Sequence, residues 1–590
     1  MLLAIAFLVA AGAAGLAASR KFGTQNRIAY AIPLAIVFST WAVFALSLAL
    51  GLNAASVGAA TAILLAFAWL NGKKQEKRGE KTFAGLLDRE MLPLAIISLA
   101  FFLAINFAMF HYDARGAVEG YSTDFGFHKS VISSLANGNF PPEHPLFSGR
   151  LLSYYYFMHL FTATLAIGGF SLQYAVITAN SLAGIAVTLL LFMLAKTAFP
   201  KESKNKLFAY AAIALVLLNG NLSFLEMLQN NALNIQSIMQ HAEFTDLKQT
   251  AFPFLNFLSA HLLVTPYIIG FAVLLIAVKK ILEGEFEKAA IIGLLPLFNF
   301  FAFLAGIVLL GAHAWWEKKA RKPFAVALAL SIPQMAYYLA TREGPSVFLR
   351  LGWLAPSQDA VSIAVFWLQN LGLYIAVGAI GYHYASDKMK RMFIASAPLF
   401  IIGNVFIFAP FAWDNVKLFL FFFAVLAILS ALGLKKISEK THPAFATAIF
   451  IAMVLTGIFS IATVAANSNS TIYDSFDMKT CAWIEENTPQ NALFLTDGQH
   501  TCVFAIAGRK VFLGDLEWMQ THGIDYASQL RENNAMLAGD CPLVKKNKIG
   551  YIYLEGYGGR HATVNETFLR ENAEIVYSQD GRTVYKTSCQ

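Results

Sequence analysis

The chain has 590 residues, of which 57% are hydrophobic and only 14% are charged, and its formal net charge is +8. Soluble domains carry roughly 25% charged residues, so the composition excludes an ordinary soluble protein. The positive charge does not indicate nucleic-acid binding, because the Lys and Arg residues form short clusters between apolar runs, as in the cytoplasmic loops of membrane proteins.

The apolar runs predict a polytopic α-helical membrane protein with about 12–14 transmembrane helices, since a helix needs about 20 apolar residues to cross a bilayer. Residues 1–18 lack a preceding positive charge, so we interpret them as a retained first helix rather than a cleaved signal peptide. The clearest helices are predicted at residues 1–18, 28–51, 54–71, 91–111, 323–341, 361–383, 392–410, 416–433 and 443–466.

The basic clusters predict which loops lie inside, because cytoplasmic loops are enriched in Lys and Arg. Counting crossings from these clusters leaves 1–466 as a transmembrane domain with an external loop at 112–156 and an external surface element at 220–257. Two regions do not fit simply. Residues 152–195 look long enough for two crossings, but they connect an external loop to an internal Lys cluster and so must cross an odd number of times. Residues 289–316 lie between two internal clusters and are expected to form two short helices broken near Asn299.

The loop at 112–156 is polar and far longer than an ordinary helix connection. A helix is predicted at 122–137, which places Asp124 and His128 on one face because they are four residues apart. Two interpretations stay open: Asp124 is a carboxylate facing a membrane-edge cavity, or it caps a surface helix. The ionisable residues of this loop include Asp113, Glu119, Asp124, His128, Lys129, Glu143, His144 and Arg150.

Three other positions within the apolar region carry side chains of interest. The triplet Tyr154, Tyr155 and Tyr156 begins an apolar run, where tyrosines form either an interfacial belt or a sugar or lipid contact. His261 and Gln334 either line a cavity or make hydrogen bonds between helices.

The segment Trp413–Lys417 opens a very apolar helix. Asp414 is placed to cap that helix, with Asn415 beside it. Lys417 lies one turn inside, where it either extends outward to the surface or neutralises a buried phosphate group.

Residues 467–590 have ordinary polarity and are predicted to form a soluble, extracytoplasmic α/β domain. Asp497 and His500 follow a strand there and are the nearest approach to a binding site. The four cysteines fit no zinc pattern, so disulfides and free thiols both stay open. Strands are predicted at 492–496, 510–514, 549–555, 573–578 and 583–587, helices at 477–487, 520–537 and 565–571, and the cysteines are Cys481, Cys502, Cys541 and Cys589.

Four short segments carry a family resemblance. DFGFHKSVISSLANGNFPPEHPLF (124–147) resembles the first external loop of the GT-C superfamily of polytopic membrane glycosyltransferases, and most closely that of the prokaryotic YYY-motif membrane proteins. SYYYFMHL (153–160) is similar to their tyrosine triplet with its trailing His, here His159, and WDNVKLFLFF (413–422) to the polar start of a late helix. MKTCAWIEENTPQNALFLT (478–496) is similar to the start of their periplasmic domain.

The resemblance implies a cell-membrane enzyme that transfers a hexose or pentose with inversion from a polyisoprenyl-phosphate donor. The acceptor is an extracytoplasmic glycan, lipid or protein. Asp124 and Asp113 are the catalytic candidates, with Asp124 as the base, and Lys417 is the expected phosphate partner. The substrate-binding candidates are His128, Arg150, Tyr154, Tyr155, Tyr156, His159, His261, Asp414, Asn415 and Lys417.

The chain departs from the oligosaccharyltransferase pattern, because no WWD-like motif heads the end domain, which argues against transfer of a whole glycan to Asn. The sequence establishes no cofactor, and whether a Mg or Mn ion shared by Asp113 and Asp124 is needed stays open.

Two other functions remain as alternatives: a transporter or flippase of a lipid-linked sugar or other solute, and a scaffold with a sugar-binding end domain. Transporters show internal repeats and charges at mid-membrane. The chain shows no repeat and collects its ionisable groups at the outer edge, which favours the enzyme.

Overall fold

The computed structural model describes residues 1–76, 86–120, 124–199, 205–230, 234–240, 265–342, 347–466, 470–497, 500–555 and 564–589. Within these residues, eight helices are long and apolar enough to cross a membrane, or nine if one bent pair is a single span, which is fewer than the sequence predicted. The eight are Leu2–Ser19, Arg27–Leu50, Ala54–Glu76, Leu92–Met109, Leu172–Ala198, Lys318–Thr341, Val416–Lys440 and Pro443–Ala466. A 3-10 turn, Ala412–Asn415, directly precedes the seventh of them.

The other helices of this region are shorter or more polar. Those in the predicted surface element at 220–257 are Ser223–Gln229 and Ile235–Gln240, and the rest of that element lies outside the described residues. The remaining ones are Asp124–Ala136, Phe157–Ile167, Asn205–Leu217, Thr265–Glu283, Phe286–Ala289, Phe300–Trp316 and Asp387–Val405.

The bent pair corrects a prediction. Residues 361–383 were expected as one helix, but the chain forms Ala360–Leu371 and Leu373–Tyr384 with a bend of 81° between them. Gly372 sits at the bend with φ of +51°, a conformation that favours glycine. A Cβ atom there would lie 2.9 Å from the Leu222 side chain, so close packing also requires a glycine.

The two irregular regions are explained by short helices. Residues 152–195 hold the short helix Phe157–Ile167 before a full-length one, and residues 289–316 hold a 3-10 turn, Ala290–Leu294, before the helix Phe300–Trp316. The break predicted near Asn299 is confirmed: its Oδ1 accepts from the backbone N–H of Ala302 at 2.7 Å and so caps the second helix.

The basic loops gather at one end of the helical region. Glu90 pairs with Lys196 at 2.7 Å and with Lys206 at 2.6 Å. The Lys279 Nζ donates to Thr197 Oγ1 at 3.5 Å, and the Lys388 Nζ donates to the Leu282 carbonyl at 3.0 Å. The loop at 112–156 follows a helix of 18 residues that starts beside Glu90, so it lies at the opposite end.

The loop at 112–156 is folded rather than extended. Strands Phe110–Asp113 and Gly116–Glu119 form a hairpin, and the predicted helix is found at Asp124–Ala136. Strand Ser470–Asp474, which the sequence did not predict, pairs antiparallel with Gly116–Glu119. The segment after the last apolar helix is therefore joined to the loop by backbone hydrogen bonds. A separate two-stranded sheet pairs Phe348–Leu349 with Phe406–Ile407.

The end region contains a five-stranded sheet with helices around it. Its strands, in spatial order, are Lys510–Val511, Leu493–Leu495, Tyr551–Glu555, Arg582–Thr587 and Ala573–Gln579, so all five predicted strands are confirmed. The first three are parallel, and Arg582–Thr587 runs antiparallel to both of its neighbours.

The predicted helix at 520–537 is wrong in one respect, because it is two helices, Leu516–Thr521 and Ala527–Leu537, with Gly523 at φ of +71° between them. The four cysteines form two disulfides, Cys481–Cys502 and Cys541–Cys589. The other helices of the end region are Ser475–Asn487, Cys502–Ala505, Cys541–Lys546 and Glu566–Asn572.

Candidate functional site

The helix Asp124–Ala136 packs directly against the end region. Ser133 Oγ donates to the Ala505 carbonyl at 3.1 Å. At the start of the helix, Gly126 touches the ring of His500, since a Cβ at Gly126 would lie 1.8 Å from the His500 Cε1. The end region therefore forms a wall of whatever site the loop builds.

A cavity of about 280 Å³ lies where the loop, the helix ends and the end region meet. Several of the predicted residues line it, and others come from segments far away in sequence. The lining residues that carry the argument are His144, Arg150, Tyr154, Tyr155, Phe300, Phe301, Tyr338, Arg342, Phe408, Asp414, Trp518 and His522.

Positive charge collects around this cavity. Lys417 is only 6% exposed, and its Nζ lies 2.8 Å from Asp414 Oδ1 and 3.5 Å from the Tyr155 hydroxyl. Arg150 and Arg342 line the cavity itself. Three cations against one lining carboxylate suit an anionic ligand.

Stacked rings form one wall. The Phe127 and Trp518 centroids are 3.7 Å apart, and the His522 ring stacks on the other face of Trp518 at 3.6 Å. Tyr154 and Tyr155 stack on each other at 4.2 Å. A loop residue and two end-region residues thus share one ring stack, which fixes the distance between the two segments.

Two buried histidines lie behind this wall. His128 Nδ1 and His159 Nε2 are 2.8 Å apart, and the Tyr154 ring lies 5.8 Å from the His159 ring. Burial lowers the pKa of His128 well below its usual value, and the neighbouring His159 and Lys417 lower it further. His128 is therefore neutral at pH 7, and its ring contacts His159 and is not one of the residues that line the cavity.

Other predicted residues stand apart from the cavity. Asp113 pairs with Arg115 at 2.7 Å in the hairpin turn, and this hydrogen bond lowers the pKa of Asp113. The Asn415 side chain donates to two backbone carbonyls, those of Gly403 and Phe406, so it holds the loop before its helix.

Tyr156 is fully buried against Tyr337 and is not a lining residue. Gln334 donates to the Gly293 carbonyl at 2.7 Å, which is the hydrogen bond between helices that the sequence left open. Asp124 is the first residue of its helix, but its side chain, like His261 as a whole, lies outside the described residues.

Asp497 interacts with another carboxylate of the end region, Glu555, and not with the cavity. Asp497 is buried, and its charge is one of those that raise the pKa of Glu555. His500 Nδ1 lies 3.1 Å from Asp515 Oδ2. His500 thus contacts the start of the loop helix, whereas Asp497 does not line the cavity.

The sequence selected only four of the lining residues as site residues, and the polar and aromatic ones it missed include His144, Tyr338, Arg342, Trp518 and His522. One local signal was present, because Trp518 and His522 are four residues apart and so share a helix face. Nothing in the sequence placed that face against residue 127 of the loop.

No metal centre is found among the residues that the structure describes, because they contain no group of three or more His, Cys, Asp or Glu arranged to hold an ion. The Asp113 carboxylate is already engaged by Arg115. The described residues thus add nothing to the proposed Mg or Mn site.

Comparison of the chain with models of known protein families and with curated proteins found no match.

Proposed function

We propose that the protein is a membrane glycosyltransferase of GT-C type, which transfers a sugar from a polyisoprenyl-phosphate donor to an extracytoplasmic acceptor. The observation that supports it most is the cavity itself. It combines three cationic side chains with stacked aromatic rings at one end of a bundle of apolar helices.

The cations have a defined task in this reaction. When the bond between sugar and phosphate breaks, negative charge develops on the departing lipid phosphate, and preorganised cations stabilise it. Arg150 and Arg342 line the cavity, and Lys417 contacts two other lining residues, Tyr155 and Asp414. Lys417 is held toward the cavity by Asp414.

Asp124 is the proposed base, which takes the proton from the acceptor hydroxyl. It begins the helix that carries Phe127 and His128, and this helix is fixed on one side by the end region. Asp113 remains the second candidate from sequence, although its salt bridge with Arg115 makes it the weaker one.

The lipid part of the donor has an apolar route to the cavity. Leu151 lines the cavity and is 47% exposed, and Leu339 beside the lining residue Ala340 is 66% exposed. Exposed apolar side chains of this kind suit hydrocarbon rather than water. A polyprenyl chain would therefore stay in the bilayer while its phosphate enters the cavity.

The two disulfides support an extracytoplasmic end region at the cell membrane. Disulfides persist in oxidising compartments and are rare in the cytoplasm. The same end of the molecule carries the cavity, so donor and acceptor would meet outside.

The test is transfer by the purified protein in liposomes, with synthetic polyprenyl-phosphate hexoses and pentoses as donors and mass spectrometry of the products. Cell-surface glycans and lipid-linked sugars of a deletion strain identify the sugar. Asp124→Asn should lower transfer by about 10²–10⁴-fold, since that is what a general base contributes, with an unchanged melting temperature.

The matched control is Asp359→Asn. Asp359 also stands at the start of a helix, where its side chain accepts from two backbone N–H groups, but it is exposed and is not one of the residues that line the cavity. It should retain full transfer. Full transfer by Asp124→Asn contradicts the assignment of the base. Movement of a lipid-linked sugar across the liposome membrane without any transfer would favour the transporter instead.

A further inference from the structure

Two histidines that face the cavity from different segments are locked in opposite tautomers. His144 comes from the loop at 112–156 and His522 from the end region, and both line the cavity. Both rings contact Trp518, with centroids 5.3 Å and 3.6 Å from it.

The tautomer of His144 follows from its local hydrogen bond. The backbone N–H of Leu146 donates to His144 Nδ1 at 3.2 Å, so Nδ1 carries no proton. The proton of the neutral ring is therefore on Nε2. His144 is 4% exposed, and its Nε2 has no hydrogen-bond partner among the described residues.

The tautomer of His522 is the reverse. Its Nδ1 lies 3.0 Å from the Trp518 carbonyl oxygen, which can only accept, so Nδ1 carries the proton. The Nε2 of His522 is then an acceptor. No residue in the described part of the chain makes a hydrogen bond to it.

Both rings are neutral at pH 7. Burial lowers the pKa of His144 to about 3 and that of His522 to about 4. A neutral ring that presents a lone pair repels a phosphate oxygen, so His522 is unsuited to the anion. A hydroxyl group both accepts and donates, and it matches one N–H donor and one nitrogen acceptor.

We propose that His144 and His522 bind one hydroxyl group of the ligand together, with His144 donating and His522 accepting through Nε2, so that the cavity selects a polyhydroxylated group such as a sugar ring. This proposal rests on the proposed function in one respect, which is that the ligand is identified as the transferred sugar. The cations Arg150, Arg342 and Lys417 keep the separate task of binding phosphate.

Asparagine variants test the pair with little disturbance of the fold. In His144→Asn the new Oδ1 can still accept from the Leu146 N–H, and in His522→Asn the new Nδ2 can still donate to the Trp518 carbonyl. Each variant keeps the hydrogen bond made by Nδ1 and removes Nε2 together with the rest of the ring that contacts Trp518. The matched control is His442→Asn, because His442 Nδ1 likewise accepts from the N–H two residues on, at 3.1 Å, in an exposed loop away from the cavity lining.

The probe is a panel of methyl hexopyranosides and methyl pentofuranosides, and the measurement is saturation-transfer NMR on the full-length protein near pH 7. We expect at least one glycoside to bind. Each of the two cavity variants should weaken it about 3- to 10-fold, the usual effect of one hydrogen bond, whereas His442→Asn should not. The monodeoxy analogue that lacks the bound hydroxyl should bind the natural protein more weakly than the parent glycoside does. The two variants should bind this analogue and the parent glycoside equally.

Two results would overturn the pair: no binding of any glycoside by the natural protein, or equal binding by the natural protein and both cavity variants. Binding of the bare polyprenyl phosphate is measured in parallel and tests the proposed function. If glycosides bind but the lipid phosphate does not, the proposed donor is contradicted and the hydroxyl pair is still supported. If the lipid phosphate binds but glycoside binding does not depend on the two histidines, the proposed donor stands and the hydroxyl pair is wrong.

Discussion

At the scale of single residues, the carboxylates at the edge of the end-region sheet show how burial changes protonation. Glu555 ends a strand and is largely buried, and this burial raises its pKa to about 7, with the Asp477 carboxylate raising it further. Arg582 is engaged elsewhere, by Asp474 at 2.6 Å and by Asp477 at 2.8 Å. Glu555 therefore titrates near neutral pH.

We predict that Glu555→Gln stabilises the protein at pH 8 and not at pH 4.5. The folded-state pKa of Glu555 is raised, so its contribution to stability is complete below the unfolded value near 4.5 and is lost as the pH rises through about 7. Glutamine resembles the protonated form, and the gain at pH 8 should be about 2 kcal/mol. Melting temperatures at the two pH values measure it.

The control for this prediction is Glu574→Gln, an exposed carboxylate on a strand of the same sheet. It should shift the melting temperature equally at both pH values. The same pH-independent shift in Glu555→Gln would contradict the assigned titration.

At the scale of elements, a buried ion pair fastens the loop helix to its hairpin. Lys129 on Asp124–Ala136 pairs with Glu119 on the second hairpin strand, and both side chains are shielded from solvent. The Tyr473 ring, from the strand that the end region adds, lies 4.9 Å from the Lys129 Nζ. Three separate elements therefore meet at this one pair.

We predict that Lys129→Met costs about 3–5 kcal/mol of unfolding free energy, because it leaves the Glu119 charge buried and unpaired. The double change Lys129→Met with Glu119→Leu should recover most of this loss, since an apolar pair needs no compensation. Denaturation midpoints of the four proteins in the cycle measure the coupling. Additive losses in the double variant would contradict a paired charge.

A disulfide makes a second link between elements. Cys481–Cys502 ties the helix Ser475–Asn487 to Cys502–Ala505, the short helix against which Ser133 is hydrogen-bonded. Its cysteines are 21 residues apart, whereas Cys541–Cys589 links the start of the helix Cys541–Lys546 to the residues that follow the strand Arg582–Thr587.

We predict that replacing Cys481 and Cys502 by alanine lowers stability by about 2–4 kcal/mol and also weakens sugar transfer, because the wall of the cavity loosens. Replacing Cys541 and Cys589 should lower stability and leave transfer of the remaining folded protein unchanged. Specific activity of folded protein, corrected by melting curves, separates the two effects. Equal loss of transfer in both pairs would show that the first disulfide has no particular link to the cavity.

At the scale of the whole molecule, the cavity and the end region lie at the end opposite the basic loops. We therefore predict that alkaline phosphatase fused after residue 590 is active in cells and that a green fluorescent protein fused there is dark. A fusion after Lys440, in a basic loop, should give the reverse. Fluorescence of the fusion after residue 590 would place the cavity inside and remove the extracytoplasmic acceptor.

The sequence by itself determined the features that depend on neighbouring residues. Apolar runs located seven of the eight long helices, all but Leu172–Ala198. Asn299 marked the break before Phe300–Trp316, and alternating residues located the five strands of the end sheet. These are local properties, because a span needs only length and apolarity and a strand needs only its alternation. The loop helix at Asp124–Ala136 was predictable for the same reason.

Only the tertiary structure decided what meets across long separations. His144 lies beside Trp518, the strand Ser470–Asp474 joins a hairpin more than 300 residues earlier, and Ser133 donates to the Ala505 carbonyl. The single helix expected at 361–383 is bent by 81° at Gly372, where the Leu222 side chain packs closely. Each of these follows from packing between distant segments, and no local pattern in the chain records which segments will be in contact.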